Sequence, residues 1–198
     1  RGIWTGAMRV VALVSGGKDS CYSMMRCVAQ RHEIVALANL HPAAPSTEEI
    51  DSWMYQTVGH AHVAAIAQSM DLPLFRRGID GTAVEQGLRY PTSGSPGDEV
   101  EDLLELLKQV QAAIPNVDAV CSGAILSNYQ RARVESVCAR LGLVSLAYLW
   151  QRDQHALLAE MVAAGVEAVL VKVASLGLKQ SDLGRTIGEL AGRFEGLH

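Results

Sequence analysis

Six residues, Ser15-Gly16-Gly17-Lys18-Asp19-Ser20, combine two adjacent glycines, two hydroxyls, one cation and one carboxylate. Paired glycines let a backbone turn sharply and bring its N–H groups against an anion, and a helix starting behind them adds partial positive charge. With Ser15 and Ser20 as further donors and Lys18 as a mobile charge, the chemistry on offer is phosphate binding. Two familiar phosphate loops do not fit. The Walker loop needs Gly where Ala12 stands and Ser or Thr where Asp19 stands. The dinucleotide fingerprint needs separated glycines and a third that is missing here. A plain capped turn would do no chemistry, but these residues stand at a strand-to-helix junction, where an open α/β sheet binds ligands.

Other groups could surround a bound phosphate. Ser122-Gly123-Ala124-Ile125 ends a second short apolar run, and Leu37-Ala38-Asn39-Leu40 ends a third, where backbone could meet an adenine edge or the strand could simply stop. Asp98, Glu99, Glu101 and Asp102 crowd the start of an expected helix. They read either as a cap at Asp98 with a capping box closed by Glu101, or as oxygen ligands for Mg²⁺ or ammonium. Arg131 can pair with Glu135 four residues on, or, with Tyr129, Arg133 and Arg152, hold an acidic substrate. The six histidines show no metal spacing and are given no role. The four cysteines stand in no Cys-x-x-Cys pair and read as reduced core thiols of a cytoplasmic protein.

These groups need a scaffold. Apolar runs at 9–14, 33–40, 74–77, 118–121, 144–149 and 167–173 alternate with helical spacing at 20–31, 54–70, 100–113, 129–141 and 154–164. That alternation predicts an α/β fold, a doubly wound, mostly parallel sheet covered by helices on both faces. In such a sheet the fourth strand lies beside the first, and the crevice at their carboxyl ends is where ligands bind. The segment 80–98, rich in Gly and Pro, predicts a long loop, 42–49 a shorter connection and 185–194 a final helix. Residues 1–7 read as a leader or appended remnant.

Composition narrows the classes. In 198 residues, 49% hydrophobic and 19% charged exclude disorder, and no apolar stretch reaches bilayer length. Seventeen Lys and Arg against 21 Asp and Glu, a formal charge of −4, argue against a nucleic-acid-wrapping surface.

The motif Ser-Gly-Gly-x-Asp-Ser resembles the loop of ATP pyrophosphatases (PP-loop proteins). Together with Ala36–Leu40, Met54–Gly59, Gly97–Leu103, Ser122–Ile125, Tyr129–Arg131, Arg133–Glu135 and Tyr148–Arg152, the chain resembles the diphthine ammonia ligase family from Met8 onward. The resemblance implies an adenine nucleotide alpha hydrolase-like (HUP) domain over 8–142 and the start of a substrate-binding region over 143–198. It implies ATP-dependent amidation of diphthine on elongation factor 2 with ammonium, using Mg²⁺, without membrane or direct nucleic-acid binding. Ser15, Gly16, Gly17, Lys18, Asp19 and Ser20 would hold pyrophosphate, with Asp19 also at the metal. Leu37, Ala38, Asn39, Leu40, Ser122, Gly123, Ala124 and Ile125 would hold adenosine. Lys18, Asp19, Glu99, Glu101 and Arg131 would serve catalysis, and Asp98, Tyr129, Arg133 and Arg152 the substrate. Family members continue past the point matching Gly196-Leu197-His198 into a Gly- and Glu-rich motif, so the second region is expected to be incomplete. A PP-loop tRNA-modifying enzyme and a non-catalytic ATP-binding module remain as alternatives.

Overall fold

The computed structural model describes residues 6–44, 52–173 and 177–194. Strands β1 (Arg9–Leu13), β2 (Glu33–Pro42), β3 (Leu74–Ile79), β4 (Ala119–Cys121) and β5 (Val144–Leu146) alternate with helices α1 (Lys18–Ala29), α2 (Val63–Met70), α3 (Glu99–Ala113), α4 (Asn128–Leu141), α5 (Gln154–Ala163) and α6 (Ile187–Phe194). The chain divides into two compact units, Arg1–Trp150 and Gln151–His198.

In the first unit the strands form one sheet in the order β3-β2-β1-β4-β5, every pair parallel. This is the doubly wound order, with its switch point between β1 and β4. Alternate residues of the central strands serve opposite faces. Val10, Ala12, Leu37 and Cys121 join Met24 and Cys27 of α1 and Val63 and Ala67 of α2. Val11, Ala38, Leu40 and Val120 join Leu103, Leu106 and Leu107 of α3 and Val134 and Val137 of α4. Each fully buried Leu of α3 contributes about 1.5–3 kcal/mol.

Helix ends follow local chemistry. Asp98 caps α3 by accepting from Val100 N at 2.9 Å, and Ser127 caps α4 by accepting from Gln130 N at 3.2 Å. The capping box expected of Glu101 is not formed, because Asp98 N donates to the Ser95 carbonyl and Glu101 is held by Arg140 and Tyr90 instead. Gly142 ends α4 at φ 69°.

Three expectations are corrected. The helix expected from residue 54 begins at Val63, after a 3-10 turn at His60–His62; Gly59 at φ 81° breaks the pattern. The fifth strand stops at Leu146. The run 167–173 makes no sixth strand: its one bridge is Val169 to Thr186, and Val169 and Val171 stay exposed. A β-branched run buries itself only where strands flank it, and this one lies outside the sheet, in the second unit. That unit buries Leu157 and Met161 of α5 and Ile187 and Leu190 of α6, and its Asp182 accepts from Lys179 N and pairs with Arg185 and Arg193. β5 lies in the first unit's sheet. The spans 1–7 and 42–49 lie partly, and 196–198 wholly, outside the described residues.

Candidate active site

The loop Ser15–Ser20 leaves β1 and enters α1 at the switch point. Gly16 sits at φ +87°, where an added Cβ would meet the Gly59 carbonyl at 3.3 Å, so this position needs a glycine both for its conformation and for its neighbour. α1 takes no side-chain cap. Two serines shape the loop, one before α1 and one in its first turn: Ser15 Oγ accepts from Gly17 N at 3.3 Å, and Ser20 Oγ donates to the Gly17 carbonyl at 2.9 Å. The first-turn N–H groups of a 12-residue helix are thereby offered to an anion. Lys18 Nζ pairs with Asp19 at 2.7 Å, both about one-third exposed.

A cleft of about 200 Å³ opens here, and its walls come from three sequence-distant segments expected to act together. Ser15, Asp19 and Ser20 come from the loop, Ala38, Asn39 and Leu40 from the end of β2, and Ser122, Gly123 and Ala124 from the end of β4. Gly123 allows that convergence. A Cβ there would lie 2.9 Å from both Asp19 C and Ser20 N, backbone atoms that cannot turn aside. Ser23 Oγ, donating to the Ser122 carbonyl at 3.0 Å, draws α1 and β4 together from the core side.

Leu37 instead packs in the core of the α1 and α2 face. The Asn39 side chain is a tie: Nδ2 donates to the Val14 carbonyl at 2.8 Å and Oδ1 accepts from Arg76 Nε at 3.0 Å. Met54, Tyr55, Gln56 and Gln130 also line the cleft, and periodicity had assigned the first three to a helix. Gln130 Nε2 donates to the Met54 carbonyl at 2.9 Å and closes that wall.

The acidic cluster is built inward. Asp98 accepts from Glu85 N at 2.8 Å as well as from its own helix, and Asp102 accepts from Arg77 Nε, Asp80 N and Gly81 N. Glu99, 2% exposed, accepts from Ser52 Oγ at 2.6 Å and Met54 N at 3.1 Å. Burial raises its pKa above the ordinary carboxylate value, against those two hydrogen bonds. Glu101 takes both Arg140 nitrogens at 2.9 and 2.7 Å and the Tyr90 hydroxyl at 2.8 Å. The Arg140 bonds hold its pKa below the ordinary value. These four carboxylates fasten the loop 80–98 and the 52–55 wall. Among the described residues no group of three or more His, Cys, Asp or Glu could hold a metal ion.

The basic residues expected at the substrate have other partners. Arg133 is wholly buried, stacks on Tyr129, and donates to the carbonyls of Glu85, Gly87 and Tyr129. Tyr129 Oη donates to the Glu85 carbonyl as well. Arg131 pairs with Glu135 at 2.7 Å and lies 4.7 Å over the Trp150 ring. Arg152, in the second unit, pairs with Glu160. All four cysteines are free, with Cys27, Cys121 and Cys138 buried and Cys21 half-buried.

Because Arg133 pins the long loop from beneath, Arg133→Met should withdraw the guanidinium from the Glu85 and Gly87 carbonyls, leaving Glu85 only the Tyr129 hydroxyl, and cost roughly 3 kcal/mol. Arg133→Lys should not restore it, having no fork to reach several acceptors. Urea unfolding followed by limited proteolysis at 82–97 checks this; an unchanged midpoint and an uncut loop would remove the anchor role.

Residues 8–145 match the family model described as the diphthamide synthase N-terminal domain. The diphthine–ammonia ligase of Danio rerio is 56% identical over 185 residues, covering 92% of this chain and 71% of that protein. The Homo sapiens protein of the same name is 53% identical over 186 residues, covering 92% and 68%. That of Schizosaccharomyces pombe is 52% identical over 183 residues, and the match covers 30% of its length.

Proposed function

Since the chain belongs to the diphthine–ammonia ligase (diphthamide synthase) family, we propose that its switch-point cleft binds ATP and activates the carboxylate of diphthine for amidation. The observation that carries this reading is the meeting of the Gly16-Gly17 loop, the end of β2 and the end of β4 around one cleft.

A carboxylate is a poor electrophile. Attack of its oxygen on the α-phosphorus of ATP expels pyrophosphate and leaves an acyl adenylate. Ammonia then attacks the acyl carbon, AMP departs and the nitrogen loses a proton, giving the amide. The chain's part is to bind and to orient. The uncapped start of α1, with Gly16 and Gly17 free of side chains, is a cradle for the leaving pyrophosphate, and Lys18 neutralises it. The ends of β2 and β4 seat the adenosine.

Mg²⁺ fits this donor set as an ion shared mainly with the phosphates, Asp19 being the carboxylate at hand. When bound it would supply charge neutralisation. Glu99 and Glu101, expected at the ammonium, act in this reading by holding the cleft wall and the loop, as Asp98 and Arg133 do. Arg131 and Arg152 keep a role towards the acidic acceptor, each already charge-paired.

The first unit is thus the nucleotide-binding part and the second serves the acceptor. Elongation factor 2 is the acceptor. Free, buried thiols suit a reducing compartment, the cytoplasm. Among the described residues no helix is long and apolar enough to cross a membrane. The same burial of Cys27, Cys121 and Cys138 counts against sulfur transfer to tRNA, which needs a thiol facing the nucleotide.

The test is release of AMP and pyrophosphate from ATP, Mg²⁺ and ammonium, with and without elongation factor 2 carrying diphthine. Release that requires the factor is expected. Nucleotide binding without any release would instead make the chain a binding module.

A further inference from the structure

Trp53 stands 54% exposed while its neighbour Met54 is buried. Its ring lies 5.7 Å from that of Tyr129, centroid to centroid, tilted by 56°. The residues that follow these two rings, Met54 and Gln130, both line the cleft and are joined by the 2.9 Å hydrogen bond between them. The backbone around Trp53 is fixed on both sides: Ser52 Oγ donates to Glu99, and Met54 N donates to Glu99 as well. An exposed indole whose neighbours in the chain are held this way, next to the Met54 wall of a polar cleft, is a binding surface for a particular chemistry.

The ligase reading, on which this inference rests, supplies that chemistry. Diphthine carries a trimethylammonium group on the same carbon as the reacting carboxylate. A quaternary ammonium has no N–H to donate, so hydrogen-bonding carboxylates give it no directional hold, whereas an aromatic face attracts it through the ring quadrupole. Because both groups hang on one carbon, a carboxylate that reaches the nucleotide brings the cation with it to the cleft whose wall Met54 forms. The carboxylates Asp98, Glu99, Glu101 and Asp102 are engaged by donors of this chain. Tyr129 already carries the buried Arg133 guanidinium against its ring, which would repel a second cation there. Trp53 has the open face.

We propose that Trp53 is the platform for the trimethylammonium group of diphthine, with Tyr129 setting the tilt of the indole beside the cleft.

The experiment is steady-state amidation by the whole chain, comparing the unmodified protein with Trp53→Leu and Trp53→Tyr. Loss of one cation–aromatic contact should raise KM for diphthine-bearing elongation factor 2 roughly tenfold in Trp53→Leu. KM for ATP and kcat should stay put, and Trp53→Tyr should recover most of the loss. At saturating ammonium, tetramethylammonium chloride should compete with the acceptor in the unmodified protein and fail to do so in Trp53→Leu. An unchanged acceptor KM in an active, folded Trp53→Leu protein would overturn the platform and leave the ligase reading intact. Absence of diphthine-dependent AMP release from the unmodified protein would overturn both.

Discussion

Gly16→Asp should abolish nucleotide binding while leaving a folded protein. The substitution puts a carboxylate into the turn proposed to cradle the pyrophosphate. Two unit charges 4 Å apart at an effective dielectric of 20 repel by about 4 kcal/mol, which corresponds to a thousandfold loss of affinity. The backbone adds a smaller cost, since φ +87° is unfavourable for an L side chain by about 1–2 kcal/mol and the new Cβ would press on the Gly59 carbonyl at 3.3 Å. Gly16→Ala separates the two effects. It carries the strain and the contact without the charge, and should weaken ATP by roughly tenfold. Calorimetric titration with ATP and Mg²⁺ reads both variants. Near-normal affinity in folded Gly16→Asp would remove the loop from the nucleotide site.

Gly123→Ala should damage stability and binding together, although it adds a single methyl group. Its Cβ would fall 2.9 Å from Asp19 C and Ser20 N and 3.1 Å from the Asp19 carbonyl oxygen. All three belong to the first turn of α1, so relief requires the helix to move away from β4. Overpacking of this kind costs about 1–3 kcal/mol. For a chain of this length that lowers the thermal midpoint by roughly 2 to 12 °C. The same movement opens the cleft at the point where Ser20 and Ser122 face it, so the added stability conferred by ATP should shrink as well. Thermal unfolding with and without ATP measures both quantities. A variant that keeps its midpoint and its full response to ATP would show that this close approach is dispensable.

The glycine loop between β1 and α1 was legible in the sequence because its constraints are local. A buried run, two glycines, a hydroxyl pair and a helix start can be seen within a dozen residues, and the parallel order then fixes where β4 must come. The wall at Met54–Gln56 was not legible. Its apolar spacing reads as helix, and the reason it is not one lies in Glu99, a buried carboxylate that takes the Ser52 hydroxyl and Met54 N from far along the chain. Arg133 was legible as a cation and illegible as a buried one, because its acceptors are carbonyls of a loop whose path no periodicity describes. At Asp98–Asp102, two sequence readings were open, and the structure takes the capping one at Asp98 while spending the other carboxylates on loop and wall. The run 167–173 had the composition of a buried strand, and composition alone does not say whether neighbours exist to bury it.

The pairing of β1 with β4 also bears on the order of events in folding. Arg9 N donates to the Asp118 carboxylate across 109 residues of sequence, and an all-parallel sheet has no hairpin to shorten that path. Closing a loop of that length costs about 4 kcal/mol in chain entropy before any contact rewards it. The crevice therefore assembles late, and the long-range topology sets a slow folding rate. ATP, bound as proposed by the finished crevice, would have nothing to hold while the chain is still searching. It should act on the other side of the barrier, slowing escape from the native state rather than hastening arrival.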